Sequence, residues 1–261
     1  MVRSYLTWLG VLDDRWAATM LRPRWAVLDR ILRWPLLREW GRNRTFAWLA
    51  ARTHFFDDAV VDALDAGIGQ VVIIGAGYDS RAWRLARPGV RFFEVDHPAT
   101  QGDKRRRAPA DGPTYVPVDL GADSLEDTLP AAGYRPGEPT VFVVEGLTMY
   151  LTEPQVRDLL ATLSRLGAPG SRLAVNFGLG VEAGNRTGAA FHNVALTFSG
   201  EQVNFRPTIE RAEDVVTASG WTPERTSTAP ELIQHYLSGT GLPATGVKPT
   251  AFALTARRDG P

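Results

Sequence analysis

Apolar residues recur at three- and four-residue spacing along the first quarter of the chain, then gather from residue 70 into short unbroken runs. The first pattern passes through Trp8, Trp16, Trp25, Leu28, Leu32 and Leu36, then Trp48, Leu49, Phe55, Phe56, Val60 and Leu64, and predicts helix over residues 3–66. Pro23 and Pro35 divide it into segments, because proline lacks the amide hydrogen that a helix interior needs. The tryptophans read as packing residues of a helical cap, with the lining of a pocket for a flat substrate as the alternative.

The second pattern begins at Val71-Val72-Ile73-Ile74, a run bounded by glycine that fits a strand buried on both faces. Similar runs follow at 91–95, 114–117, 140–145, 172–176, 221–227 and 250–256. Helix-length segments separate the early ones, at about 80–86, 98–108, 123–131 and 153–166. The alternation predicts an α/β fold: a doubly wound, Rossmann-like, mostly parallel sheet with helices on both faces. Ligands of such sheets bind at the carboxyl ends of the strands. The expected organisation is an N-terminal helical cap over 1–66 and the α/β domain over 67–261. Residues 178–207, rich in Gly, Asn and Phe, read as a lid-like insertion after the fifth strand. Residues 238–249 read as the connection into the last strand.

Composition narrows the function classes. Lys+Arg and Asp+Glu balance at 29 each over 261 residues, so net charge makes no case for nucleic acid or an anionic membrane as partner. Cysteine is absent, which removes disulfides, thiol nucleophiles and cysteine-based metal sites. Histidines stand at 54, 97, 192 and 235, never at metal-ligand spacing, so no metal is expected. No apolar run is long enough for a transmembrane helix, and Met1 to Leu12 lacks a signal-peptide pattern, so the expected location is cytoplasmic.

The candidate chemistry lies at successive strand ends. Gly75-Ala76-Gly77-Tyr78-Asp79-Ser80-Arg81 follows the first strand, and its two glycines permit a tight turn and close approach to a ligand. A dinucleotide fingerprint would carry Gly or Ala where Ser80 stands, and Asp79 is unwelcome beside a pyrophosphate. The loop therefore favours a sulfonium or ammonium ligand, while an N-cap role for Asp79 and Ser80 stays open. Asp96 ends the second strand, where an acid can accept the ribose hydroxyls of an adenosine; Glu94 competes for this role, and a capping role is the structural alternative. Asp119, after the third strand, can accept an adenine amine with the Leu120 amide beside it, or simply form a turn. Glu145 closes an apolar strand, where a carboxylate has little structural reason unless it meets a cation.

Four strings carry a family resemblance: Ala51-Arg52-Thr53-His54-Phe55-Phe56-Asp57-Asp58, the segment from Gln70 through Gly75 and Gly77 to Arg81, Glu94-Val95-Asp96-His97-Pro98, and Glu145-Gly146-Leu147-Thr148-Met149-Tyr150-Leu151. Over residues 45–176 the chain resembles the leucine carboxyl methyltransferase-like group, which includes tetracenomycin-type polyketide O-methyltransferases. The resemblance implies a class I methyltransferase domain with S-adenosylmethionine as cofactor. It implies that Arg52 pairs with the cofactor carboxylate, that Gly75 and Gly77 pass under the methionine part, and that Asp96 holds the ribose. It further implies Asp119 and Leu120 at the adenine and Glu145 near the amino group. The implied activity is O-methylation of a small acidic molecule, polyketide- or peptide-like, at a carboxylate. Tyr150, Arg186 and Arg206 are candidate anchors for the acid, and His192 is the candidate base if the acceptor is a hydroxyl. A phenol or hydroxyl methyltransferase, a nicotinamide-dependent oxidoreductase and a repurposed S-adenosylmethionine-binding protein are the alternatives.

Overall fold

The computed structural model describes residues 1–34, 42–179, 204–243 and 249–260. Three helices come first: α1 (Val2–Trp8), α2 (Pro23–Leu32) and α3 (Arg44–Asp65). Pro23 opens α2 rather than interrupting a longer helix, since the first helical position needs no amide donor. Residues 9–22 are turns and irregular chain, so the spacing of Trp8 and Trp16 is not that of one helix. Asn43 caps α3 by accepting from the Phe46 amide at 3.0 Å. Pro35 and Leu36 lie outside the described residues.

The sheet has seven strands: β1 (Gln70–Ile74), β2 (Arg91–Asp96), β3 (Thr114–Pro117), β4 (Thr140–Val144), β5 (Arg172–Gly178), β6 (Thr222–Thr228) and β7 (Ala251–Arg257). Between them lie α4 (Arg81–Arg84), α5 (Pro98–Arg105), α6 (Leu125–Ala131), a short 3-10 turn at Thr148–Tyr150, α7 (Glu153–Leu166), α8 (Ile209–Ala218) and α9 (Ala229–Leu237). The strand order is β3-β2-β1-β4-β5-β7-β6. β1 to β5 pair in parallel, whereas β7 runs antiparallel to both β5 and β6. Pro223 sits at a register shift in the edge strand β6, where its missing amide interrupts little of the ladder.

Every residue of β1 and β4 is buried, as the unbroken apolar runs predict. Val71, Ile73, Val141 and Val143 pack on one face with Phe55, Phe56, Val60 and Ala63 of α3 and with Leu232 and Ile233 of α9. Val72, Ile74, Phe142 and Val144 pack on the other with Val156, Leu160 and Leu163 of α7 and Val215 and Val216 of α8. α3 thus forms part of the helical layer over the sheet. Among the tryptophans, Trp221 is fully buried and donates to the Leu160 carbonyl at 2.8 Å. Trp8, Trp25 and Trp34 are exposed instead, Trp34 to 67%. No described helix is long and apolar enough to cross a membrane.

Register fixes the site. Ile74 stands beside Val95 on one flank and Val144 on the other. The residues that follow, Gly75, Asp96 and Glu145, therefore leave the sheet at one level. The strand order reverses between β1 and β4, which is where a crevice opens in a doubly wound sheet.

Candidate active site

A cavity of about 710 Å³ occupies that crevice, within the size range of cofactor pockets. Gly75, Gly77, Tyr78 and Asp79 form one wall, and Arg52, Glu145, Met149 and Tyr150 form another. The N-terminal segment closes the rest with Val2, Arg3, Met20, Arg22 and Trp25. Its lining combines charged side chains and the glycine turn with apolar side chains such as Val2, Met20, Leu21, Trp25 and Leu49.

The glycine turn is held from behind. Gly75 and Gly77 adopt φ of +65° and +50°, a left-handed conformation that side chains disfavour. A Cβ on Gly75 would also meet the Leu147 side chain at 3.2 Å. Asp96 accepts from the Gly77 amide with one oxygen and from the His97 amide with the other, at 2.6 Å for the latter. The Asp96 carboxylate thus orders the loop that lines the cavity. The cap of α5 is His97, whose Nδ1 accepts from the Ala99 amide at 3.2 Å. Arg3 donates to the Tyr78 carbonyl, tying α1 to the same loop.

Asp96 itself and its competitor Glu94 are both absent from the cavity wall; they differ in what holds them, and it is Glu94 that has a cationic side-chain partner. It is buried and accepts from the Lys104 ammonium, which lies over the Trp83 ring. Burial pushes the Glu94 carboxyl up from 4.5 to about 8, against the opposing pull of Lys104. A raised carboxyl contributes stability that is full below the unfolded value and lost as pH rises through the folded one. Melting temperature should therefore carry a component that falls from about pH 4.5 to about 8. Glu94→Gln cannot titrate, and thermal denaturation across this window is expected to show a flatter profile; an unchanged slope assigns the effect to another group.

Glu145 does meet cations. Its Oε1 accepts from Arg52 Nε at 2.9 Å and its Oε2 from Arg81 Nη1 at 2.7 Å. Among the described residues, Arg52 Nη1 and Nη2 donate to nothing. They lie against Gly146, where a Cβ would sit 3.6 Å from Nη1. Burial alone would raise the Glu145 carboxyl, but the guanidiniums of Arg81 and Arg52 outweigh it and hold it below its ordinary value. Arg81 is fully buried, pairs also with Asp57 and Asp79, and lies over the Phe56 ring. Asp79 also accepts from the Arg81 amide at 2.7 Å, so it braces the start of α4 while facing the cavity. Burial raises and Arg81 lowers the Asp79 carboxyl; the guanidinium wins and holds it well below the usual range.

The remaining candidates divide by place. Tyr150 lines the cavity from the 3-10 turn. Asp119 is exposed beyond β3 and accepts from the Gly121 amide at 2.9 Å, the turn geometry that its sequence allows. Leu120 borders a separate cleft of about 310 Å³ between α6 and α7. Arg206 is not on the cavity wall; its side chain flanks Gly178 together with Met149, which is. Its Nη2 is buried and has no hydrogen-bond partner among the described residues. His192, Arg186 and residues 180–203 of the stretch read as a lid lie outside the described residues. His54 Nε2 donates to the Val11 carbonyl at 2.9 Å, and His235 packs on Tyr236. Arg81 stands in the glycine-loop string but has no role in the sequence reading, because its partners lie 24 residues before and 64 residues after it.

Comparison with known proteins agrees with this geometry. The leucine carboxyl methyltransferase family matches residues 9–164, reaching further toward the N-terminus than the four strings. A protein of Parafrankia sp. (strain EAN1pec), provisionally named an S-adenosyl-L-methionine-dependent methyltransferase, is 45% identical over 135 residues, which are 49% of this chain and 44% of that protein. A protein of Mycobacterium bovis (strain BCG / Pasteur 1173P2) with the same provisional name is 37% identical over 181 residues, 64% of this chain and 60% of its own. The chain spans about half the length of the curated relatives it matches. Among solved structures, a provisionally named methyltransferase from Thermobifida fusca YX shares the fold with a TM-score of 0.58 at 17% identity, covering 100% of this chain and 95% of that one. Human N-acetylserotonin methyltransferase in complex with S-adenosylmethionine shares it with a TM-score of 0.51 at 14% identity, over 99% and 67% of the two chains. The chain thus belongs to the leucine carboxyl methyltransferase family.

Proposed function

We propose that the protein transfers a methyl group from S-adenosylmethionine to an oxygen of a small acidic molecule, most simply a carboxylate. The observation that carries this reading is the facing pair of Arg52 and Glu145 beside the glycine turn in one cavity. An α-amino acid end needs a cation for its carboxylate and an anion for its ammonium, and these two side chains offer both. In this reading Gly75 and Gly77 run under the methionine part and Asp96 accepts the ribose hydroxyls. Asp119 and Leu120 serve the adenine from the next strand end. When bound, the cofactor supplies an electrophilic methyl carbon on a sulfonium.

The chain's own contribution is positioning and exclusion of water. The apolar lining residues Val2, Met20, Trp25 and Met149, with Tyr150, suit the body of an apolar or aromatic acid. Arg206, beside Met149 and with its buried Nη2 unpartnered among the described residues, is the anchor for the acid group, helped by Tyr150. A carboxylate is ionised near neutral pH and needs no base, whereas a phenol, with a pKa near about 10, benefits from one. His192 is the base in that second case.

The test is a methyl-donor assay on matched carboxylic acids and phenols. For an acid, the rate should change little between about pH 6 and 8, and mild alkali should release the methyl group from the product as from an ester. An alkali-stable ether product, with a rate rising with pH, would overturn the carboxylate assignment and leave the cofactor assignment standing.

A further inference from the structure

Arg81 takes no direct part in the cavity. It is absent from the wall, fully buried, and each of its side-chain nitrogens is engaged. Nε donates to Asp57 at 2.7 Å, Nη1 donates to Asp79 and Glu145, and Nη2 donates to the Thr53 carbonyl at 3.4 Å. It therefore joins α3, the glycine loop and the end of β4 at one point. The Glu145 carboxylate is divided by this arrangement. Oε2 is held from inside by Arg81, and Oε1 meets Arg52 on the cavity side.

We propose that Arg81 is a positioning residue for the amino-acid end of the cofactor, keeping Glu145 Oε1 aimed into the cavity so that the ligand ammonium can replace Arg52 there. Arg52, released from Glu145, then turns its fork to the ligand carboxylate. One ion pair within the protein is exchanged for two with the ligand, and no buried charge is left alone at any stage. The inference rests on the cofactor reading above.

Arg81 is also the strongest of the three cations that favour the ionised form of Glu145, ahead of Arg52 and Arg3. The groups facing this carboxylate are Arg52 from α3, Asp79 from the glycine loop, Arg81 from α4 and Arg3 from α1; Asp57 and Arg84 flank Arg81. Without Arg81, burial and Asp79 both favour the protonated acid, and a neutral Glu145 cannot hold an ammonium.

Two ligands separate positioning from a general loss of structure. S-adenosylhomocysteine has the amino-acid end, while 5′-methylthioadenosine shares the adenosine but lacks that end. Calorimetry on the full chain should show Arg81→Gln losing about tenfold or more in affinity for the first and less than about twofold for the second, the size expected of lost charge-assisted contacts. Arg81→Lys should recover part of the loss, since it restores the charge without the fork. In Arg81→Gln, affinity for S-adenosylhomocysteine should fall as pH drops from about 8 to 6, while the parent protein stays flat over that range. The double variant with Glu145→Gln should abolish this slope. If Arg81→Gln gives no cooperative melt, the same ratio is read on Arg81→Lys. Equal losses for both ligands, or unchanged affinity for S-adenosylhomocysteine in a folded variant, would overturn the inference. Failure of the parent protein to bind either ligand would instead overturn the cofactor reading.

Discussion

Arg52→Ala is expected to weaken binding of S-adenosylmethionine by about 10- to 100-fold, the loss that follows from removing a charge-assisted fork from a carboxylate. The position supports an effect of this size. Arg52 lines the cavity, its side chain is 21% exposed, and among the described residues only its Nε is engaged, by Glu145. Both Nη groups remain to form two parallel bonds to one carboxylate, which a lysine ammonium cannot do. Arg52→Lys should therefore fall between the parent protein and the alanine variant. Titration calorimetry at low and moderate salt would measure both. Parent-like affinity in Arg52→Ala would reduce Arg52 to a partner of Glu145 and remove the cofactor carboxylate from its care.

The largest expected effect on stability is that of Asp57→Ala. Asp57 accepts from Arg81 Nε and Arg84 Nη1 at 2.7 Å each, and from Arg84 Nη2 at 2.9 Å. Its removal takes a charge-assisted partner from a guanidinium that has no access to water, a change that costs about 3–5 kcal/mol in comparable buried pairs. Asp57→Asn keeps the shape and should lose nearly as much, because the deficit is one of charge. Urea denaturation at neutral pH would give both values. The acid limb should change as well. Burial would raise the Asp57 carboxyl, but Arg81 and Arg84 prevail and hold it below its ordinary value of 3.8. A depressed carboxyl contributes stability that is present above the unfolded value and lost as pH falls through the folded one. Acid denaturation of Asp57→Ala should accordingly be shallower below that pH. A loss under about 1 kcal/mol would mean that Arg81 is stabilised adequately by Asp79 and Glu145 alone.

The two networks have different uses. Arg84, Asp57 and Arg81 form the inner part, which joins α3 to α4. Glu145 and Arg52 form the outer part, which reaches the cavity. Changes to the inner part should appear first in melting, and changes to the outer part first in ligand affinity.

The alternation of strand-length with helix-length segments determined the α/β class and all seven strands to within a residue or two; burial on both faces accounts for the unbroken apolar runs of β1 and β4, whereas the edge strands β3 and β6 are largely exposed and more polar. It also determined that Gly75, Asp96 and Glu145 belong to strand ends, since each follows such a run directly. Apolar runs carry no direction, so only tertiary pairing decided that β7 lies antiparallel between β5 and β6. Helical spacing likewise holds for buried and exposed faces alike. Only the folded chain decided that Trp34 faces solvent and that Trp25, on α2, borders the cavity. The different surroundings of Glu94 and Asp96 were also tertiary. Two acids two residues apart share a facing along a strand, and only the arrival of Lys104 from α5 decided which of them was withdrawn into a buried pair. Most of all, the charge around Glu145 depended on the fold. A carboxylate at the end of an apolar strand called for a cation, but Arg52 comes from 93 residues before it and Arg81 from 64. No local spacing encodes such pairs. They form because β1 and β4 stand side by side and α3 packs across them, which brings three distant side chains to one point.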